Sequence, residues 1–128
     1  MKAIVLSSGG VDSTTCLAMA VHELGKENVV TLSFEYGQRH CKELESAQKV
    51  ADYYGVRHVV FNLTQIFSFS NCSLLSTSTE KPVHESYAEQ ISKNGEGKVS
   101  TYVPFRNGLM LSAGAALAQS LFPEEKCE

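Results

Sequence analysis

Lys2-Ala3-Ile4-Val5-Leu6-Ser7-Ser8-Gly9-Gly10-Val11-Asp12-Ser13-Thr14-Thr15 stands at the start of the sequence, and its reading decides the fold class. Lys2 to Leu6 is a short, almost unbroken apolar run, the pattern of a strand covered on both faces. Ser8 to Ser13 then turns the chain into a helix, because Leu17, Ala20, Val21 and Leu24 recur at helical spacing. Gly25 stands where a helix C-cap belongs. A strand that feeds a helix through a glycine-rich turn is the unit from which parallel α/β sheets are built.

The pattern repeats downstream. Asn28 to Phe34 and His58 to Leu63 read as further covered strands, each with a Val-Val pair. Between them Leu44, Ala47, Val50, Ala51 and Tyr54 mark a second helix, closed by Gly55. Strand-helix-strand-helix-strand with short connections implies right-handed crossovers and a parallel, Rossmann-like α/β sheet. From Ser68 to Thr79, seven of twelve residues are Ser or Thr, a composition that buries little and predicts a loop, either a plain excursion or a lid. A weak helix is expected around His84 to Lys93, followed by a turn at Gly95 and Gly97. The last element is a helix with Leu109, Ala113, Ala116, Leu117 and Leu121 on one face, and small residues from Gly114 to Ala118 that allow close approach to a sheet. In such a fold this helix should feed another strand, so residues 1–128 are expected to be the N-terminal part of a single larger domain.

Composition narrows the partners. The 128 residues are 43% hydrophobic and 20% charged, enough apolar surface for a folded core. Eleven basic against fourteen acidic residues give a net charge of −3, and no Lys/Arg run occurs, which argues against nucleic acid as a partner. The longest apolar stretch, Leu109 to Ala118, is well short of the roughly 20 residues a spanning helix needs. No signal-peptide core precedes Ser7, so a cytoplasmic protein without membrane contact is expected. The four cysteines, Cys16, Cys41, Cys72 and Cys127, have no metal-ligand spacing and read as reduced thiols.

The loop Ser8 to Ser13 has the chemistry of an anion site. Two glycines permit positive φ and close approach of a ligand to the backbone. Successive N–H groups can then form a nest at the positive end of a helix dipole, with hydroxyl donors from Ser8, Ser13 and Thr14. Each charge-assisted hydrogen bond contributes about 1.5–3 kcal/mol, so a few of them would hold a pyrophosphate. Asp12 has no direct attraction for phosphate. It either binds a Mg²⁺ that neutralises the phosphates or accepts backbone N–H groups and shapes the loop. The bland alternative is an ordinary turn capped by Asp12 or Ser13. No Walker lysine and no Gly-x-Gly-x-x-Gly occur, which excludes the two commonest rival loops.

Ser8 to Ser13 resembles the SGGxDS motif of the PP-loop ATP pyrophosphatases. Two further strings, Tyr36-Gly37-Gln38-Arg39-His40 and Thr101-Tyr102-Val103-Pro104-Phe105-Arg106-Asn107, occur in the order and spacing of the 7-cyano-7-deazaguanine synthase family of the queuosine pathway. The resemblance runs over nearly all of the chain and implies an adenine nucleotide alpha hydrolase-like fold. It also implies a carbon–nitrogen ligase that converts 7-carboxy-7-deazaguanine and ammonia into the nitrile at the expense of ATP. In that chemistry AMP is transferred to a carboxylate oxygen, ammonia forms the amide, and a second activation dehydrates it. The resemblance implies ATP contacts at Ser8, Gly9, Gly10, Val11, Asp12, Ser13 and Thr14, with backbone groups of Ser33 and Phe34 bordering the adenine.

Asp12, Ser13 and Arg106 are the residues it leads one to expect in catalysis. Arg106 is either a charge contact to ATP or the substrate carboxylate, or an exposed arginine beside a helix cap. Asn107 suits a substrate contact or an N-cap. Gln38, Arg39 and His40 suit the substrate pocket or a subunit contact, a homodimer being compatible with the latter. His22, His58 and His84 are expected at the surface, and Cys16 is expected as a buried thiol beside Leu17 and Ala20. The family's four-cysteine zinc site cannot be built here, since Cys127 is the only cysteine near the end of the sequence, so no metal ligands are assigned in this chain. Two rival functions remain: a PP-loop enzyme modifying tRNA directly, which predicts a basic surface and paired cysteines, and an ATP-binding module without turnover.

Overall fold

A computed structural model describes residues 1–37, 42–69 and 105–125. Its elements are strand β1 (Ala3–Leu6), helix α1 (Val11–Leu24), strand β2 (Val29–Glu35), helix α2 (Lys42–Tyr54), strand β3 (Arg57–Asn62), a short helix α3 (Thr64–Phe67) and helix α4 (Arg106–Leu121). The expected weak helix, the turn at Gly95 and Gly97, and the Ser/Thr-rich stretch beyond Phe69 lie outside the described residues.

The sheet has the order β1-β2-β3, with β1 and β2 parallel and Ala3 opposite Val29 through Leu6 opposite Leu32. The central position of β2 explains its composition. Six of its seven residues, Val29 to Phe34, are buried, and only Glu35 at its end is exposed. Side chains alternate across the sheet. Ala3, Val5 and Val29 face one side, where they form a core with Leu17, Ala51 and Val56 and the half-buried Ala20, Val21, Leu24, Val50 and Tyr54. Both predicted helices therefore pack on the same face. Each ends at a left-handed glycine, Gly25 at φ +83° and Gly55 at φ +66°.

Helix α4 covers the opposite face. Gly114 is its buried residue, and a Cβ added there would lie 3.5 Å from Leu6 Cδ2 and 4.0 Å from Leu32 Cδ2. The expected apolar face is corrected at Ala116, which is exposed, because the helix turns Gly114 rather than Ala116 toward the sheet. Further along, the Lys2 ammonium sits 5.6 Å from the Phe122 ring centre and 3.9 Å from Glu125, and donates to Asn28 Oδ1 at 2.7 Å. Gly114 at Leu6 and Phe122 at Lys2 mean that α4 runs antiparallel to β1.

All three strands differ in their boundaries from the sequence expectations, β2 running on to Glu35, and several exposures differ as well. Asn28 closes a 3-10 turn (Lys26–Asn28), donating its carboxamide to the Leu24 carbonyl at 2.6 Å, so β2 begins at Val29. Lys2 is likewise left out of β1, and β3 begins and ends one residue earlier than expected. β3 is an outer strand rather than a fully covered one, with Val60 46% exposed. Cys16 is exposed, not buried: it lies about 100° around the helix from Leu17 and so points off the packed face.

His22 is exposed as expected, but His58 is half-buried. Its Nδ1 lies 2.8 Å from Thr31 Oγ1, and that hydroxyl is 3.3 Å from the Arg57 carbonyl. Given to the carbonyl, the single hydroxyl proton leaves Oγ1 to accept from Nδ1–H. Nε2 is buried without a partner among the described residues.

A separate unit of the chain includes Tyr36, Gly37, the residues from Asn62 to Phe69, and Phe105. Within it Asn62 Oδ1 accepts the Thr64 N–H at 2.9 Å, which starts α3, and Tyr36 meets Phe67 edge to face at 6.1 Å.

Two predictions follow from this packing. Gly114→Ala places a methyl at ordinary contact distance and should stabilise the protein by about 0.5–1 kcal/mol through helix propensity. Gly114→Leu should instead destabilise by about 1–3 kcal/mol, both being read from urea midpoints. Desolvation lowers the pKa of His58 below 6.5, against a smaller opposing pull from Asp52. The unfolded chain then binds the proton first, so stability is full above about pH 6.5 and falls as the pH drops from there toward the folded pKa. His58→Gln should flatten that part of a melting-temperature profile.

Candidate anion-binding site

The site begins where β1 ends. Ser7 donates its amide to the Leu32 carbonyl at 2.8 Å and accepts the hydroxyl of Ser33 on its own carbonyl, which ties the last residue before the loop to β2. The chain then turns at Gly9, with φ +76°, and enters α1 at Val11. A Cβ at Gly9 would fall 2.5 Å from Ser46 Cβ and 2.6 Å from Ala47 N, so the loop backbone rests directly on α2.

The loop's internal bonds are long. Ser13 Oγ lies 3.3 Å from the Ser8 amide, 3.3 Å from Ser8 Oγ and 3.2 Å from the Gly10 carbonyl. The Gly10 amide reaches Ser8 Oγ at 3.3 Å. The first helical bond runs from the Thr14 amide to the Gly10 carbonyl at 3.0 Å, which leaves the amides of Val11, Asp12 and Ser13 without a partner inside the helix. Gly10 is the N-cap and makes no side-chain cap, so the expectation of an ordinary turn capped by Asp12 or Ser13 does not describe this helix. Asp12 is exposed in the first turn, and Val11 is 83% exposed beside it. Together these groups present N–H and O–H donors at the positive end of a 14-residue helix.

The other predicted residues are placed as follows. Ser33 and Phe34 end the buried run of β2 at the same sheet edge as the loop. The Ser33 hydroxyl is committed to the Ser7 carbonyl, and Phe34 packs edge to face on Phe61 at 6.1 Å. Arg106 opens α4. Because α4 runs antiparallel to β1, Arg106 lies eight residues, or about 12 Å of helix, beyond the level of Gly114 and Leu6. That carries it to the C-terminal edge of the sheet. Its Nε is 3.5 Å from Asn107 Oδ1. Asn107 is inside the first turn rather than at the N-cap, because the helix already starts at Arg106. Gln38, Arg39 and His40 lie outside the described residues.

Two features escaped the sequence reading. Ser7 is 6% exposed and its hydroxyl is buried without a partner among the described residues; the alternation Ala3, Val5, Ser7 was the signal that this serine, and not Ser8, turns inward. Ser46 touches the loop from α2, where the periodicity marks only its neighbour Ala47. Among the described residues no group of three or more His, Cys, Asp or Glu side chains could hold a metal ion. No described helix is long and apolar enough to cross a membrane.

Comparisons with known proteins bear on the family and the fold. Residues 2–125 match the family described as queuosine biosynthesis protein QueC. A 7-cyano-7-deazaguanine synthase of Oceanobacillus iheyensis is 40% identical over 127 residues, a match that covers 97% of this chain and 52% of that protein. The chain thus spans about half the length of this curated relative. The fold is similar to that of an NH3-dependent NAD synthetase from Campylobacter jejuni, solved in complex with a nitrate ion. That structure superimposes with a TM-score of 0.60 at 15% identity, over 91% of this chain and 42% of the synthetase. The expected parallel α/β architecture stands.

The two loop glycines should respond differently to substitution. Gly9→Ala meets both the left-handed penalty of about 1–2 kcal/mol and a collision with the α2 backbone. Gly10, with φ −80°, would meet only Ser8 Oγ at 3.3 Å. Denaturant unfolding should therefore show a large loss for Gly9→Ala and a small one for Gly10→Ala.

Proposed function

Because the chain belongs to the queuosine biosynthesis protein QueC family, we propose that it contributes the ATP-binding part of an enzyme converting 7-carboxy-7-deazaguanine and ammonia into 7-cyano-7-deazaguanine. The observation that carries the proposal is the loop Ser8 to Ser13. It is a donor-lined turn at the head of α1, at the C-terminal edge of a parallel sheet, in a chain 40% identical to a synthase of that name.

A carboxylate is a poor electrophile, and the reaction needs a leaving group on its oxygen. The amides of Val11, Asp12 and Ser13, with the hydroxyls of Ser8, Ser13 and Thr14, hold the ATP phosphates and stabilise the charge that grows on pyrophosphate as it departs. The carboxylate oxygen takes AMP, ammonia displaces it to give the amide, and a second transfer to the amide oxygen lets AMP leave as the nitrile forms. Orientation carries much of the rate in such a sequence. Backbone groups at Ser33 and Phe34 border the adenine, and Arg106 at the same edge meets phosphate or the substrate carboxylate. Gln38, Arg39, His40 and Asn107 are proposed on the substrate side.

Asp12 fits Mg²⁺, which takes one or two protein carboxylates and completes its shell with phosphate oxygens and water. The ion would neutralise phosphate charge there. The zinc that the resemblance brings to mind finds no ligand set among the described residues, and no step passes through it. We further propose a cytoplasmic protein acting on small molecules rather than on nucleic acid, compatible with a homodimer, and residues 1–128 as the N-terminal part of one domain.

Radiolabelled ATP incubated with the carboxylated base and ammonia tests the proposal in a family-length protein. Nitrile and labelled AMP should appear together, whereas ATP bound without turnover would leave only the binding module. Asp12→Ala and Ser13→Ala should each abolish nitrile formation. Unchanged rate and ATP affinity in both variants would remove the phosphates from this loop.

A further inference from the structure

We infer that Ser46 is a positioning residue for the anion loop: its Cβ, with the adjoining backbone of α2, is the seat that fixes Gly9 and thereby aims the loop's amides. The inference rests on the proposal that Ser8 to Ser13 holds phosphate. A Cβ at Gly9 would stand 2.5 Å from Ser46 Cβ, 2.6 Å from Ala47 N and 2.8 Å from Ser46 C, so no space separates the loop from the helix. The seat cannot yield. Ala47 and Ala51 are fully buried, and α2 packs through Ala51, Val50 and Tyr54 into the main core.

The loop has little else to hold it. Its cross-bonds through Ser8 and Ser13 all measure 3.2–3.3 Å, at or beyond the long end for hydroxyl contacts, and α1 has no side-chain cap. Packing on α2 is therefore the strongest constraint on the turn. It acts at the one residue, φ +76°, whose conformation sets where the next amides point. The Ser46 atoms nearest to where a Gly9 Cβ would stand are its own Cβ and carbonyl carbon. Bulk added at Ser46 is added beside this contact and is expected to shift Gly9.

Calorimetry with inorganic pyrophosphate tests this on the chain as it stands, using Ser46→Ala, Ser46→Val and Gly9→Ala beside the wild type, each with a thermal melt. Ser46→Val should weaken pyrophosphate roughly tenfold. Ser46→Ala, which keeps Cβ and loses only the hydroxyl, should bind within about twofold of wild type. In the free protein the Gly9 and Gly10 amide resonances should shift in the valine variant and stay in place in the alanine variant, a change that a purely global loss of stability would not produce. If Ser46→Val melts too low to study, Ser46→Thr, with one added methyl, should show the same shifts and an intermediate affinity. Wild-type affinity in Ser46→Val, with affinity lost in Gly9→Ala, would overturn the seat and keep the phosphate site. Absence of pyrophosphate binding in the wild type itself would overturn the phosphate site, and the role of Ser46 with it.

Discussion

Everything at the C-terminal edge of the sheet depends on one contact, the packing of Gly9 against the backbone of α2 at Ser46 and Ala47. β1 delivers the chain to this point with its last amide already bonded to β2, so the turn cannot begin later. α1 must start within three residues to bury Leu17 against the sheet. Between these fixed ends only a left-handed residue without a side chain fits, and Gly9 is that residue. Its neighbour Gly10 is under no such demand, with φ −80° and only Ser8 Oγ, at 3.3 Å, close to where a Cβ would stand. The same two-glycine string thus contains one structural requirement, at Gly9, and one position free of it, where the proposed anion would approach.

The architecture was largely legible because its signals are local. Periodicity located both α1 and α2, and the glycines closing them adopt the positive φ that their positions suggested. The expectation for Cys16 failed on local grounds: it sits beside Leu17 in the chain but about 100° away on the helix surface. The other failures depend on a neighbour distant in sequence. His58 carries no mark in the sequence that it will meet Thr31, and the Val-Val pair of β3 looks identical to that of β2 although one strand is central and the other outer. In the site, the loop was readable from its own six residues. Its seat was not, because Ser46 on a helix surface is indistinguishable from any solvated serine until the sheet brings β1 alongside.

The face of the sheet under α1 and α2 is more polar toward its C-terminal end than an ordinary core. Alternation places Val29, Thr31 and Ser33 of β2 on that face, with Ala3 and Val5 of β1 and the following Ser7 beside them. The apolar members form the core, and the hydroxyl-bearing ones gather toward the loop. Ser33 and Thr31 are satisfied by Ser7 and by the Arg57–His58 pair, whereas Ser7 Oγ and His58 Nε2 have no partner among the described residues. An unmet buried polar group costs about 1–3 kcal/mol. His58, at the start of β3, lies toward the other end of the sheet, but Ser7 directly precedes the loop and places one such departure from ideal packing beside the proposed site, where it is ordinarily tolerated.

That imbalance bears on how the loop can be both shaped and receptive. An anion site built from strong internal hydrogen bonds would have to break them to admit its ligand, and the ligand would gain little. Here Ser13 Oγ accepts from the Ser8 amide and gives its proton toward the Gly10 carbonyl, at distances of 3.3 and 3.2 Å, occupying donors that a phosphate oxygen would use. These are weak bonds between neutral groups, and a charged acceptor forms bonds roughly twice as strong. Exchanging one set for the other is downhill, provided the backbone does not collapse while the exchange takes place. In the proposed arrangement the backbone is held not by those bonds but by Gly9 on α2, away from the donors that would meet the anion. Shape and occupancy are thereby assigned to different interactions, and the loop could surrender its hydroxyl contacts to an anion without losing its geometry.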